Sequence, residues 1–417
     1  MATLVRLNAL RVMAEGLVVD HHFTTRKNEV FQALSGEISS DLMSFFFVLS
    51  GFVAMYSNEG KTVTTVDYIT KRLSKTFPLY FLVTIIGCVD GQVRGWVVAD
   101  NQLVCGYLDF ILLSSWFPCR HPPYFNGSGW YLCTLYWVWL CFPCIRQCML
   151  SCPVITGHAW RFAALLWALN VAIFCVVWVP QWTWLIRDFP PLRLLEFCVG
   201  MLAATTTHAQ VPTRTLLCAG CLIVGYWILA CAYLTRQPAL WEWQFVPEDF
   251  RHVTDSTQIP YPDTDGIHET RLPFMQGKFS LLWAVIIQWT ACSELHTKCD
   301  SWWAKWLDNT IFKLLSPFSL QLYLCHQWIP RACRSLLRLG NMEDILHIHM
   351  EFIITYALCY MVFLWGQPWL DRFAAAVGKG VNVVFTELQQ ATTSNTQPLP
   401  QTPDQEDSSP SAPMAAV

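Results

Sequence analysis

Long apolar runs recur along the 417-residue chain and constrain its fold more than any other feature. Each run is close to the ~20 residues that an α-helix needs to cross ~30 Å of hydrocarbon. Only 14% of the residues are charged, whereas a soluble globular protein carries about 25%. The sequence therefore predicts an all-α polytopic membrane protein with about ten transmembrane helices, at positions 5–23, 42–57, 77–95, 129–149, 160–180, 192–207, 214–235, 277–293, 311–328 and 351–370.

Charge and composition exclude several other classes of protein. The formal net charge is −3 and no tract rich in Lys and Arg stands out, so no nucleic-acid partner is expected. The apolar composition argues equally against a soluble enzyme and a disordered scaffold. The first run contains charged residues that the apolar core of a signal peptide does not tolerate, so we expect a retained helix. The partner predicted by these features is the lipid bilayer, with the chain a multi-pass integral membrane protein.

Three segments do not fit the spanning pattern. Residues 103–116 are a shorter apolar stretch, which favours a re-entrant or interfacial segment. Residues 236–276 are rich in Asp and Glu and predict an extramembrane loop. Residues 387–417 are rich in Thr, Ser, Pro and Gln and predict a disordered tail. The expected organisation is one transmembrane domain over 1–380 that contains the loop, followed by the tail.

The distribution of basic residues slightly favours a cytosolic N-terminus. This orientation places Lys71, Arg72 and Lys75 at a helix end on the cytosolic side, where basic residues are enriched. The opposite face also carries basic residues, so the preference is small. The sequon at 126–128 would then lie on the other side, very close to a span.

The first span carries the densest set of ionisable residues. Arg11, Glu15 and His22 lie at i, i+4 and i+11, which is one face of a helix. Arg11 and Glu15 are spaced to pair, and His22 lies about 16 Å from Arg11 along the axis. A neutral imidazole can take a proton from a hydroxyl group, and a guanidinium can hold a phosphate or a carboxylate. The alternative is a structural ion pair and a histidine that is hydrogen-bonded to a neighbouring helix.

Two further polar groups precede apolar runs. Asp41 stands before the run 42–52, where its carboxylate would cap the helix N-terminus. Within this run, Gly51 follows Ser50 and would allow another backbone to approach closely. Arg72 and Lys75 precede the next run. They are either interfacial anchors or a site for a phosphorylated cosubstrate.

Six segments together resemble the membrane-bound acyltransferase family 3, multi-pass enzymes that typically O-acylate carbohydrates. Leu7 to Arg11 resembles the family's first motif, and His22 follows Arg11 at the family's spacing of ten intervening residues. The other five segments occur in the family's order, at 41–52, 72–78, 115–132, 191–201 and 319–326.

The resemblance implies a mechanism and a set of site residues. Acyl-CoA, most often acetyl-CoA, would be the cosubstrate, with no tightly bound cofactor and no metal. Arg72 and Lys75, with Arg11, would hold its phosphates or orient its thioester, and His22 would act as the general base on a hydroxyl group of a carbohydrate or glycoconjugate acceptor. Candidate substrate-binding residues from the matched segments are Asp41, Ser50, Trp130, Glu196, Tyr323 and His326. For Glu196 and His326, a buried ion pair with Arg193 and a structural hydrogen bond are the respective alternatives.

The sequence departs from the family's pattern at one position that bears on catalytic activity. Leu135 stands where the family usually has a glutamate, three residues after the Trp-Tyr-Leu motif. One hypothesis is that Glu15 replaces this glutamate from another helix. The rival interpretation of the whole chain is a non-catalytic membrane protein, or a transporter, on the same fold.

Cysteines are frequent, and most of them lie inside apolar runs, which is typical of packing residues. Cys141, Cys144, Cys148 and Cys152 recur on one helical face. No His or carboxylate completes a metal shell there. Packing is the favoured interpretation of this stripe, and S-acylation is the alternative.

Overall fold

The structure, a computed structural model, describes residues 4–24, 29–93, 106–117, 126–176, 188–207, 211–236, 277–295, 302–326, 329 and 345–394. Within these ranges the regular elements are α-helices, two short 3₁₀ turns and one π-helical turn, without a strand. The predicted all-α fold is confirmed. The predicted 236–276 loop lies almost entirely outside the described residues, as does the chain beyond residue 394.

Fourteen α-helices carry the labels used below for the described part of the chain. They are α1 (Val5–Thr24), α2 (Glu29–Ser57), α3 (Thr65–Val93), α4 (Trp130–Ser151), α5 (Pro153–Gly157), α6 (Ala159–Val176), α7 (Pro190–Ala204), α8 (Thr213–Arg236), α9 (Ser280–Leu295), α10 (Trp302–Leu307), α11 (Thr310–Leu315), α12 (Ser319–Cys325), α13 (Ile345–Met361) and α14 (Gln367–Ser394). The 3₁₀ turns are Ser114–Trp116 and Ser316–Phe318, and the π-helical turn Val362–Gly366 joins α13 to α14.

Five helical segments of the described chain are long and apolar enough to cross a membrane. They are Ile38–Ser57, Thr65–Val89, Ala159–Val176, Thr213–Ala230 and Ile353–Gly380, and α9 is a shorter apolar helix. The last of these segments runs through the π-helical turn. The sequence-based number of about ten spans stays a prediction.

α2 lies at the centre of the bundle, where it packs against α1, α7, α8 and α9. Its contact with α7 is a close backbone approach. A Cβ atom added to Gly51 would lie 1.9 Å from the carbonyl oxygen of Phe197, and one added to Gly200 would lie 1.9 Å from that of Val48. Because small residues allow helices in a membrane to approach this closely, the role predicted for Gly51 is confirmed.

Asp41 does not cap a helix, so that prediction is wrong. α2 begins at Glu29, which places Asp41 well inside it. The sequence signal was misleading because the apolar run begins only after Asp41, whereas the helix extends through the more polar residues before it. Its carboxylate is bound instead by one side chain of α8 and one from the turn before α9.

Two other segments differ from, or refine, their predictions. α14 continues to Ser394, so positions 387–394 are helical where a disordered tail is predicted. Glu, Gln and Ala dominate the start of this stretch, and all three favour helix. The stretch 106–117 forms a short helical turn and a 3₁₀ turn, which fits a segment too short to span.

The sequon asparagine is part of the packed core. Asn126 is fully buried, and its side-chain oxygen accepts a hydrogen bond from Ser128 at 3.0 Å. A glycan needs an accessible asparagine, so this position argues against glycosylation.

Candidate active site

α1 is fixed at one end by its first turn. The guanidinium of Arg6 pairs with Asp308 at 2.9 Å and donates to the carbonyl oxygen of Ser293 at 2.6 Å. This contact ties the start of α1 to the ends of α9 and α10. The predicted stripe of Arg11, Glu15 and His22 then runs away from this end, toward the opposite side of the bundle.

His22 meets a second histidine from α12. Its ring centroid lies 4.9 Å from that of His326, with the planes tilted by 41°. His326 directly follows α12, and its backbone N–H donates to the carbonyl oxygen of Leu322 at 2.9 Å. Only 1% of His326 is exposed. Two candidates that are 304 positions apart in the sequence are therefore neighbours in the structure.

Arg11 and Glu15 are not joined in the predicted i, i+4 ion pair. Arg11 donates from Nη2 to the carbonyl and hydroxyl oxygens of Ser316, at 3.1 and 3.3 Å. Glu15 is buried, with Ser319 and the backbone of Tyr323 beside its carboxyl, and it attracts Arg11 through space. The pairing fails because the turn before α12 offers Arg11 better-placed acceptors.

Tyr131 connects the histidine pair to the basic residues. Its ring contacts that of Tyr323 at 5.5 Å, and Tyr323 lies 6.0 Å from His326. Arg11 and Arg72 both act electrostatically on Tyr131. Tyr131 is not among the candidate residues predicted from the sequence, although it stands next to Trp130 in a matched segment.

Arg72 is held in place by two aromatic rings. Its guanidinium lies 5.3 Å from the ring centroid of Tyr68 and 5.2 Å from that of Trp139. The indole N–H of Trp139 donates to the hydroxyl of Ser50 at 3.1 Å. Lys75, one helical turn later, is exposed. Thus Arg72 is pre-oriented by cation–π contacts, Ser50 supports its aromatic neighbour, and Lys75 is accessible.

Arg193 and Glu196 form a fully buried ion pair. Nη1 of Arg193 lies 2.9 and 3.0 Å from the two carboxylate oxygens, and neither side chain is exposed. α7 begins with two prolines, whose fixed φ suits a first helical turn. Ser44 donates to Glu196 at 3.2 Å and accepts from the backbone N–H of Gly277 at 3.0 Å. Of the two alternatives for Glu196, the structure has the ion pair.

The same network continues to Asp41. Its carboxylate pairs with Lys278 at 2.9 Å and accepts from the indole N–H of Trp227 at 2.8 Å. Trp130 also belongs to this region, because the guanidinium of Arg193 lies 6.0 Å from its ring centroid. The structure thus places Asp41, Glu196 and Trp130 around an internal charge network, and substrate binding by them stays a prediction.

Leu135 is buried in the core of α4, with 3% of its surface exposed. The stripe of cysteines on the same helix faces outward. Cys141, Cys144 and Cys148 are exposed and Cys152 is half-buried, so the favoured prediction that they pack in the interior is wrong. Among the residues that the structure describes, no group of three His, Cys, Asp or Glu side chains is arranged to hold a metal ion.

Comparisons with known proteins address the identity of the chain. The model of a family described as an acyltransferase domain matches residues 4–366. Acyltransferase MdmB from Streptomyces mycarofaciens is 28% identical over an alignment that covers 42% of this chain and 48% of that protein. The chain thus spans about half the length of this curated relative. No solved structure matches. Because the family model covers nearly the whole described bundle, the chain belongs to the acyltransferase 3 family, which is membrane-embedded.

Proposed function

We propose that the enzyme transfers an acetyl group from acetyl-CoA to a hydroxyl group of a carbohydrate or glycoconjugate. The observation that carries this proposal is the placement of His22 against His326, with Tyr131 and Tyr323 linking this pair to Arg72. Acyl transfer from a phosphorylated donor needs a base that takes the proton of the acceptor hydroxyl and a pre-oriented cation that holds the donor.

The donor is inferred from the basic end of α3. Lys71 and Lys75 are exposed, and Arg72 is fixed between two rings. Exposed ammonium groups suit the phosphates of a soluble cosubstrate, which several cations can bind at once. Arg72, which acts electrostatically on Tyr131, would orient the thioester end of the donor.

The base is inferred from His22. A neutral imidazole has a suitable affinity for protons near neutral pH. His22 would take the proton of the acceptor hydroxyl while its oxygen attacks the thioester carbonyl carbon. The C–S bond then breaks, the acyl group stays on the oxygen, and the proton passes from His22 to the departing CoA sulfur. Arg11, Tyr131 or Arg72 would stabilise the negative charge that develops on the carbonyl oxygen.

The acceptor class is inferred in the first place from the family resemblance. A hydroxyl acceptor is the group for which a histidine base is needed. The aromatic rings of Tyr131 and Tyr323, beside the histidines, would suit the apolar faces of a sugar ring.

The test is release of free CoA from acetyl-CoA by the purified protein in detergent, with and without candidate sugars. His22→Ala should lower the rate about 10²–10⁴-fold, the contribution expected of a positioned base. His158→Ala is the matched control, because this histidine is exposed at the end of α5. Both variants should elute as monodisperse protein.

Two results would count against the proposal. Equal CoA release by wild type and His22→Ala would remove His22 as the base. Failure of the wild type to bind or consume any acyl-CoA, with a panel of acceptors present, would exclude this class of donor.

A further inference from the structure

The cysteine stripe of α4 has no part in the proposed reaction. It consists of Cys141, Cys144, Cys148 and Cys152, which recur every three or four residues and so share one face of the helix. All four are free thiols, and the first three are exposed on the surface of the bundle. Because this face does not pack in the interior, S-acylation is what remains of the two interpretations of the stripe.

The last turns of α4 lie at the same level as the turn between α2 and α3. Nη2 of Arg146 donates to the carbonyl oxygen of Asn58 at 2.8 Å, directly after the end of α2. The ring centroid of Phe142 lies 4.6 Å from that of Tyr68, in the first turn of α3. Since α2 and α3 each contain a segment long and apolar enough to span a membrane, the turn between them lies at a membrane surface. Arg146 therefore marks this surface on α4.

The same end of the bundle carries exposed basic residues. Lys61 lies in the turn between α2 and α3, Lys71 is near the start of α3, and Arg161 is near the start of α6. Basic residues are enriched on the cytosolic side of membrane spans. This distribution favours the cytosol for the end of α4, which is the side from which acyl-CoA arrives.

We propose that Cys144 and Cys148 are S-acylation sites that carry long-chain fatty acyl groups. Each lies two residues from Arg146, about 3 Å along the helix axis. Both thiols are thus exposed at the membrane surface, where cysteines beside a membrane span are S-acylated. Cys141 lies about 7.5 Å deeper than Arg146, and Cys152 is half-buried, so the modification is assigned to the middle pair.

The helix surface beside this pair suits a fatty acyl chain. Leu140 is exposed and precedes Cys144 by four residues, which places it on the same face one turn deeper. An acyl chain attached at Cys144 or Cys148 and directed into the bilayer would lie along this part of α4. The chain would then be surrounded by lipid and apolar side chains, which is the environment that its methylene groups favour.

The modification is a transfer between two thioesters and needs no oxidant. The cysteine thiolate attacks the carbonyl carbon of a long-chain acyl-CoA, and a new C–S bond forms. The bond from that carbon to the CoA sulfur breaks, and the proton of the cysteine thiol ends on the released CoA. A membrane S-acyltransferase that acts at the cytosolic face would catalyse the step, so the inference does not depend on the reaction proposed for His22.

The test counts thioesters on the full chain produced in eukaryotic cells. Free thiols are blocked, thioesters are cleaved with neutral hydroxylamine, and each thiol released is coupled to a polyethylene glycol maleimide that shifts the protein on a gel. We expect two hydroxylamine-dependent tags on wild type, one on Cys144→Ser, one on Cys148→Ser, and none on the double variant. Serine keeps the size of the side chain, and monodisperse elution checks the fold.

Cys175→Ser is the matched control. Cys175 is equally exposed in the last turn of α6, but this helix starts beside α5 and is about 27 Å long, so Cys175 lies at the opposite end of the bundle. The control should keep both tags.

Three results would overturn the inference. The first is a wild type without tags, in membranes where a known S-acylated protein of the host is tagged. The second is tags that persist in the double variant, and the third is a tag lost in Cys175→Ser. Release of CoA from acetyl-CoA is measured separately, so a protein that is tagged but does not use acetyl-CoA would refute the proposed function and leave the acylation sites in place.

Discussion

Two buried polar regions of this membrane protein differ in how completely their charges are paired. In the charge network of α2, α7 and the turn before α9, Arg193 pairs with Glu196 and Lys278 pairs with Asp41, each at 2.9 Å. In the stripe of α1, Oε1 of Glu15 and Nε of Arg11 are buried without a hydrogen-bond partner in the described chain. The first region is saturated in the sense that each of its four charges lies beside an opposite charge, and the second region is not.

The difference separates a structural role from a functional one. A buried polar network stabilises a unique fold only if its members are satisfied. Unsatisfied ionisable groups in a membrane are costly and mark functional sites. The saturated network lies beside the close contact of α2 and α7, where it fixes helix positions. The stripe of α1 leads from Arg11 to the two histidines, where chemistry is proposed.

The largest effect is expected from breaking the saturated network. Arg193→Met should destabilise the protein by about 3–5 kcal/mol, because the carboxylate of Glu196 would stay buried without its cation. The measurement is thermal unfolding of the purified protein in detergent. The double variant Arg193→Met with Glu196→Leu should recover most of the loss, since a buried ion pair can be replaced by apolar residues at little cost. If the single variant were as stable as wild type, the network would not be structural.

A smaller effect is expected from Glu15, and it should fall on activity rather than on stability. Glu15→Gln keeps the shape but removes the charge that attracts Arg11. The apparent Tm should not fall, because an uncharged amide avoids the cost of burying a carboxylate. CoA release should drop about 10-fold, equivalent to about 1.4 kcal/mol of transition-state stabilisation.

Glu196→Gln is the matched control for Glu15→Gln. The same chemical change in the saturated network should lower the apparent Tm, since Arg193 would lose its counter-ion. Unchanged activity in Glu15→Gln would remove Glu15 from the site and end the hypothesis that it replaces the glutamate missing at position 135.

The fold and part of the site could be predicted from the sequence. Apolar runs reveal helices because hydrocarbon thickness sets their length, and the face shared by Arg11, Glu15 and His22 follows from helical periodicity. The ion pair of Arg193 and Glu196 lies within one helix, three residues apart, and was open to the same reasoning.

Contacts between distant segments could not be predicted in this way. Periodicity does not say that His326 lies against His22, that Ser316 takes the hydrogen bonds of Arg11, or that Lys278 binds Asp41. Each of these depends on how helices pack. The start of α2 was missed for a related reason: its first turns are polar, so the apolar run marks only the later part of the helix.

The smallest effect is expected at the accessible end of the donor site. Lys75 is exposed, and exposed charges contribute little to stability, so Lys75→Gln should change the free energy of unfolding by less than about 0.5 kcal/mol. KM for acetyl-CoA should rise about 3-fold at low ionic strength, and the difference from wild type should shrink as salt screens the remaining charges.

The control is Lys305→Gln, which changes another exposed lysine, on α10, and should leave KM unchanged. If both variants behaved alike, the basic end of α3 would act as a membrane anchor and not as a phosphate site. If only Lys75→Gln weakened the binding of acetyl-CoA, Lys75 would represent a third class of charge beside the saturated network and the stripe of α1. Such a charge is exposed, has no structural effect and serves in binding.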